Sequence, residues 1–102
     1  MRAQRFPLDL PLRYRRVGET VWMDGTTENI SHSGVLFRVG QPLDVDSPVE
    51  IRITLPATSP SSPGAQVICQ ARIVRAEMRP DQSIALAAAF SRQQLVPAQI
   101  HQ

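Results

Sequence analysis

Asn29-Ile30-Ser31-His32-Ser33-Gly34 sets an amide, two hydroxyls, an imidazole and a glycine between two apolar runs. Arg2-Ala3-Gln4-Arg5, near the N-terminus, is the other stretch whose side chains look chosen for chemistry. An asparagine carbonyl accepts hydrogen bonds, a serine hydroxyl accepts or donates, and glycine admits close backbone approach. Guanidinium is permanently cationic, offers a planar fork of donors and stacks on flat π systems, which suits phosphates and purines. Read together, the two stretches point to a small site for an anionic ligand. Read alone, the corner also fits a plain turn, with Asn and Ser bonding their own backbone and Gly at positive φ.

Catalysis fits the same residues poorly. Adjacent side chains on an extended chain point to opposite sides, so Ser31 and His32 do not form a nucleophile–base pair. Their flanks do not match a G-x-S-x-G elbow. His32 is the one histidine outside the terminal tail, and no carboxylates stand at metal-ligand spacing around it. The sequence therefore predicts no enzyme, no metal site and no cofactor, and a solvent-exposed loop histidine at position 32. The single cysteine, Cys69, forms no internal disulfide and lies at an apolar phase, as a small buried residue does.

A chain of 102 residues with 42% apolar content supports one domain with one modest core. No apolar run is long enough to span a membrane, and the opening MRAQRFPLDL lacks the pattern of a secretory signal, so a cytoplasmic protein is expected. The net charge is only +2, yet it is unevenly spread. All 11 Lys-or-Arg positions are Arg, and Arg2, Arg5, Arg13, Arg15 and Arg16 crowd the first stretch, opposed there by Asp9 alone.

These groups need a scaffold, and its strands are visible as alternation. Phe6, Leu8, Leu10, Leu12 and Tyr14 alternate with Pro7, Asp9, Pro11 and Arg13, which predicts a first strand with one buried side. Its prolines remove ladder donors, so it is expected at an edge or as an irregular opening strand. Gly18 marks a turn, Val21-Trp22-Met23 starts a second strand, and Asp24-Gly25 signals a turn or bulge before Thr26–Ile30. Val35, Phe37 and Val39 lie on one side of a third strand, and Val49 to Leu55 alternates most cleanly of all. Residues 56–64 have the composition of an exposed loop. Val67, Cys69, Ala71 and Ile73 share a face of a fifth strand, and Ile84, Leu86, Ala88 and Phe90 a face of a sixth. Ser91-Arg92-Gln93-Gln94 reads as a capping box opening a short helical turn.

The fold class is therefore all-β: a small six-stranded antiparallel barrel with at most a short C-terminal helical turn. Residues 1–5 are expected as a flexible arm, 6–90 as the barrel and 91–102 as a tail.

Asn29-Ile30-Ser31-His32-Ser33-Gly34 resembles the [D/N]-x-S-x-x-G motif of the PilZ domain, followed as usual by an apolar strand, here Val35-Leu36-Phe37. Arg5 to Tyr14 resembles the family's opening strand, Gln41 to Pro56 its middle, and Ala71 to Arg75 with Ile84 to Phe90 its last two strands. The resemblance implies a six-stranded barrel that binds cyclic di-GMP and passes the signal to an effector protein or adjacent domain. The family's second motif, R-x-x-x-R, puts its later arginine on Arg5 and its earlier one on Met1. Arg2 stands one place along, as in members reading R-R-x-x-R. Carried over, the ligand-binding residues are Arg2, Arg5, Asn29, Ser31 and Gly34.

Met1 at an arginine position motivates the alternative of a degenerate barrel that acts as a protein–protein interaction module. Binding of a nucleic-acid polymer would need exposed stacking aromatics. Phe6, Tyr14, Phe37 and Phe90 instead take core phases, with Trp22 undecided, so no nucleic-acid partner is expected.

Overall fold

A computed structural model describes residues 9–57 and 64–97, and no helix occurs among them. Six strands run in chain order: β1 (Pro11–Arg16), β2 (Met23–Ile30), β3 (Gly34–Val39), β4 (Pro48–Leu55), β5 (Ala65–Met78) and β6 (Ile84–Pro97). They close into the expected antiparallel barrel, in the strand order β1-β2-β3-β6-β5-β4. The strands other than β2 turn alternate apolar side chains inward, and Tyr14, Phe37, Ile51, Ile53, Ile73 and Leu86 are all completely enclosed. The Tyr14 and Phe37 rings meet tilted at 58°, with centroids 5.5 Å apart, a favoured aromatic geometry.

Closure corrects the expected edge position of the first strand. β1 pairs with β2 on one side and with β4 on the other. Pro11 is tolerated because it is the strand's first residue, faces Thr26, and precedes the β4 ladder, which begins at Leu12↔Ile53. Phe6, Pro7 and Leu8 lie outside the described residues.

Asp24-Gly25 is not a turn. Both residues sit inside β2, opposite Arg13 and Leu12. A Cβ on Gly25 would stand 2.9 Å from the Arg38 carbonyl oxygen and 3.0 Å from Leu12 Cδ1. The glycine thus serves close packing across the sheet rather than a reversal.

The expected helical turn at Ser91–Gln94 is also replaced, because β6 runs on to Pro97, past the barrel end expected at Phe90. The Ser91 hydroxyl that would cap a helix donates instead to the Gln70 carbonyl at 3.0 Å. Gln93 Nε2 donates to the His32 carbonyl at 2.8 Å. Pairing with β5 satisfies the backbone that a helix would otherwise have satisfied internally.

Candidate functional site

Three irregularities in the ladders turn polar side chains onto the outer surface, and two of them serve the corner, the third being an extra Ser91 in β6. In β2, Thr27 pairs with Phe37 but Asn29 pairs with the next residue of β3, Leu36, so Glu28 is an extra, bulged residue. Thr27 and Phe37 are both fully buried, whereas Asn29 and Leu36 share the outer face. Strict alternation from Thr27 would have sent Asn29 inward. One extra residue reverses that phase.

β5 repeats the device. Ile73 pairs with Ala88 and Arg75 with Ala87, which leaves Val74 as the extra residue, 52% exposed. Arg75 falls at the inward phase of Val67, Cys69, Ala71 and Ile73, and the bulge brings it out. The registers Asn29↔Leu36, Leu36↔Ala87 and Ala87↔Arg75 then form a single row across β2, β3, β6 and β5.

That row floors a shallow depression of about 420 Å³, which Asn29, Ser31, Gly34, Leu36, Arg75 and Ala87 help to line. The small alanine of β6 keeps the floor low and leaves the sheet face open. Asn29's side-chain amide makes no hydrogen bond among the described residues. Arg75 approaches Glu77 at 3.5 Å and remains 62% exposed. An amide, a hydroxyl and a guanidinium thus rim a flat, partly apolar floor, an arrangement suited to a planar, anionic ligand.

Glu28, the residue squeezed out of the β2 ladder, is anchored from both sides. Its carboxylate meets Arg38 of β3 at 3.3 Å and pairs closely with Arg79 in the β5–β6 connection. The hydrogen bond to Glu28 is the main reason the Arg79 guanidinium is held above its ordinary pKa. Arg38 also reaches Asp9 at 3.4 Å, and Arg79 reaches Glu77 at 3.3 Å. A chain of alternating charge therefore crosses the surface beside the row, from Asp9, two residues before β1, to Glu77, the partner of Arg75.

The corner itself is held as a tight reversal. The Ser31 amide donates to the Gly34 carbonyl at 2.9 Å, and the Ser33 amide donates to Ser31 Oγ at 3.3 Å. The Ser31 and Ser33 hydroxyls are 3.1 Å apart. Ser31 therefore serves the turn as well as facing the depression. The Phe90 amide donates to the Ser33 carbonyl at 2.9 Å, which ties the loop to β6. His32 is exposed, as expected for a loop histidine.

Gly34 plays a part that the turn reading does not anticipate. It does not adopt positive φ. A Cβ there would stand 2.5 Å from the Ala88 carbonyl oxygen, so the glycine lets β3 press against β6 beneath the site.

Arg2 and Arg5 lie outside the described residues, but the root of their segment is visible. Leu10's amide donates to buried Thr27 Oγ1 at 2.8 Å, and Thr27's amide donates to the Leu10 carbonyl at 2.9 Å. The chain thus joins β1 beside β2, two positions before Asn29. Asn29 lies roughly 7 Å beyond Thr27 at strand rise. The residues between Leu10 and Arg5 span up to about 17 Å when extended. The corner is therefore within reach of the segment.

Sequence reasoning singled out Asn29, Ser31 and Gly34 and did not single out Arg75, which lines the same depression. The available signal was a charged residue at an inward phase of β5. Cys69 is buried and uninvolved, and burial pushes its thiol up to about 11. No group of His, Cys, Asp and Glu able to hold a metal ion occurs among the described residues. Nor is any helix there long and apolar enough to cross a membrane.

The comparison with curated proteins returned no match. Among solved structures, the chain is similar to the Bacillus subtilis inhibitor of motility MotI/DgrA, with a TM-score of 0.72 and 16% identity. The likeness covers 90% of this chain and 43% of that one, and at such low identity it speaks for the fold. A family model described as PilZ domain matches residues 1–99. With the closed barrel and the corner motif, that match establishes that the chain belongs to the PilZ domain family, a family of cyclic di-GMP receptor domains rather than enzymes.

Proposed function

We propose that this domain binds cyclic di-GMP on the outer face of β2, β3, β6 and β5 and relays its presence to an effector protein or adjoining domain. The observation that carries the reading is the row Asn29–Leu36–Ala87–Arg75 beneath the corner, with the root of the Arg2–Arg5 segment bonded to Thr27 beside it. The ligand has two phosphodiester charges and two guanines. Asn29's carbonyl accepts from a guanine N1–H or N2–H, and Ser31's hydroxyl serves a base or a phosphate. Arg5, supported by Arg2, forks onto a guanine O6/N7 edge, a contact worth roughly 1–3 kcal/mol. Arg75 supplies a second cation from the far wall, for a phosphate or for stacking on a purine face. Gly34 acts from below by keeping the floor flat. Ordering of residues 1–5 over the bound nucleotide then constitutes the signal.

Calorimetric titration tests the reading. Cyclic di-GMP should bind saturably, Arg5→Ala should abolish or badly weaken binding with the fold intact, and Ser31→Ala should weaken it less. Normal binding by Arg5→Ala would refute the assigned site. A second reading, a barrel that recognises protein without nucleotide, draws on Met1 at the earlier arginine position and on Ser31's engagement within its own turn. It predicts no heat at high micromolar nucleotide. Protease sensitivity of residues 1–5, compared with and without nucleotide, tests the ordering step.

A further inference from the structure

The opposite wall of the barrel carries a second feature, for which nucleotide binding has no use. A groove of about 410 Å³ lies over β1 and β4, with Arg13, Trp22, Asp24 and Arg52 among its lining residues. The Trp22 ring is packed against two guanidiniums, Arg15 at 4.4 Å and Arg52 at 4.8 Å from its centroid. Val21, its neighbour in the chain, is 72% exposed, and Val17 on the same connection is 61% exposed.

The cations on this wall are not equivalent. Arg15 donates twice to Glu50 Oε1, at 3.2 and 2.9 Å. Arg13 pairs with Asp24 at 3.5 Å, and Arg16 with Glu19 at 3.6 Å. Arg52 makes no hydrogen bond among the described residues. Its nearest carboxylate oxygen, on Glu50, is 3.8 Å away, and its Nε is shielded from solvent without a partner. The side chain as a whole is nevertheless 41% exposed, so its remaining donors are open to a ligand. Its solvent-facing donors carry water in the free protein and can exchange that water for a carboxylate oxygen. Trp and Arg are also the side chains that dominate the energy of protein interfaces.

We infer that this wall docks an extended protein segment bearing a carboxylate beside an apolar side chain, with the carboxylate on Arg52 and the apolar group on Trp22 and Val21. A polyphosphate fits less well. Asp24, Glu19 and Glu50 are interleaved among the arginines and repel a run of phosphates, whereas a single open guanidinium matches a single carboxylate. Strand order puts β1 and β4 across the barrel from β3 and β6. A partner held here leaves the Asn29–Arg75 row uncovered, and the inference stands whether or not that row binds nucleotide.

Trp22 is the only tryptophan in the chain, so its emission reports on this wall directly. The probes are blocked peptides of alternating Glu and Leu, their Gln/Leu and Lys/Leu counterparts, and an oligothymidylate. The Glu/Leu peptide should change Trp22 emission saturably and bind at least tenfold more tightly than the Gln/Leu peptide. Arg52→Gln should erase that preference while leaving the melting temperature and any cyclic di-GMP affinity unchanged. Anisotropy of a labelled Glu/Leu peptide should show the same loss for Trp22→Ala. Absence of saturable binding, equal binding of the Gln/Leu or Lys/Leu peptide, tighter binding of the oligothymidylate, or an unchanged preference in Arg52→Gln would each overturn the inference.

Discussion

The β1–β4 wall and the β2–β3–β6–β5 wall use the same barrel in different ways. β4 pairs with β5 residue for residue from Pro48↔Arg72 to Leu55↔Ala65, and Val49, Ile51 and Ile53 are fully enclosed. Nothing interrupts its phase, so every second side chain goes to the core. On the other wall, Glu28, Val74 and Ser91 are supernumerary, and each extra residue turns the next position outward. Both walls feed the core, with Phe37, Ile73 and Leu86 coming from the bulged one. The bulged wall also takes three positions that alternation assigns to the core, Asn29, Arg75 and Arg92, and sets the first two in one row on the surface. The lesson is that a polar or charged residue at an inward phase marks either a buried cost or a bulge that re-aims it.

A charge at a true inward position should produce the largest effect. Ile73 is completely enclosed, and Ile73→Arg puts an unpaired guanidinium in the core. Stability should fall by roughly 3 kcal/mol or more, read by urea denaturation. Deletion of Val74, by contrast, joins Ile73 to Arg75 and keeps Arg75 opposite Ala87 on the outer face, so it should cost far less. A deletion variant as unstable as Ile73→Arg would show that an extra residue at Val74 is not what turns Arg75 outward.

Gly34→Ala should come next. Its Cβ would stand 2.5 Å from the Ala88 carbonyl oxygen, a backbone atom that yields only if β3 and β6 separate. A loss of about 1–3 kcal/mol is expected, together with weaker nucleotide binding. Unchanged stability would mean that the two strands part easily beneath the site.

The regular wall should respond in stability alone. Cys69 lies in the unbroken β4–β5 ladder, and burial raises its thiol from 9.0 to about 11. The folded state therefore holds this proton more tightly than the unfolded state does. Its contribution is full below pH 9 and is lost as pH rises toward 11. Cys69→Ala should flatten that part of the stability–pH curve without changing nucleotide affinity. The smallest effect is expected for Tyr14→Phe. The Tyr14 hydroxyl is buried with no partner among the described residues. Its removal should be neutral or stabilising, within about 1 kcal/mol by thermal melting.

Most of the barrel was legible because burial on one side writes itself as alternation. Leu10, Leu12 and Tyr14, then Val35 and Phe37, then Val49, Ile51 and Ile53 all take the core positions that their spacing predicts. The corner was legible because Asn, Ser and Gly at those spacings are few in kind and specific in use. The bulges were not. An extra residue leaves no mark except a side chain whose chemistry contradicts its phase, as Asn29 and Arg75 do. Ser91–Gln94 misled for a related reason, since a hydroxyl that caps a helix can equally donate to a neighbouring strand, and only the β5 partner decides between them. Gly25 signalled a turn because glycine favours turns, whereas here it relieves crowding between β2 and the strands on either side of it.

Amide chemical-shift mapping during a cyclic di-GMP titration tests the central claim most directly. The account predicts saturable shifts at Asn29, Ser31, Gly34, Leu36, Ala87 and Arg75, accompanied by residues 2–5, while β1 and β4 stay unperturbed. Shifts confined to the Trp22 and Arg52 wall, or no shifts at high micromolar nucleotide, would contradict it.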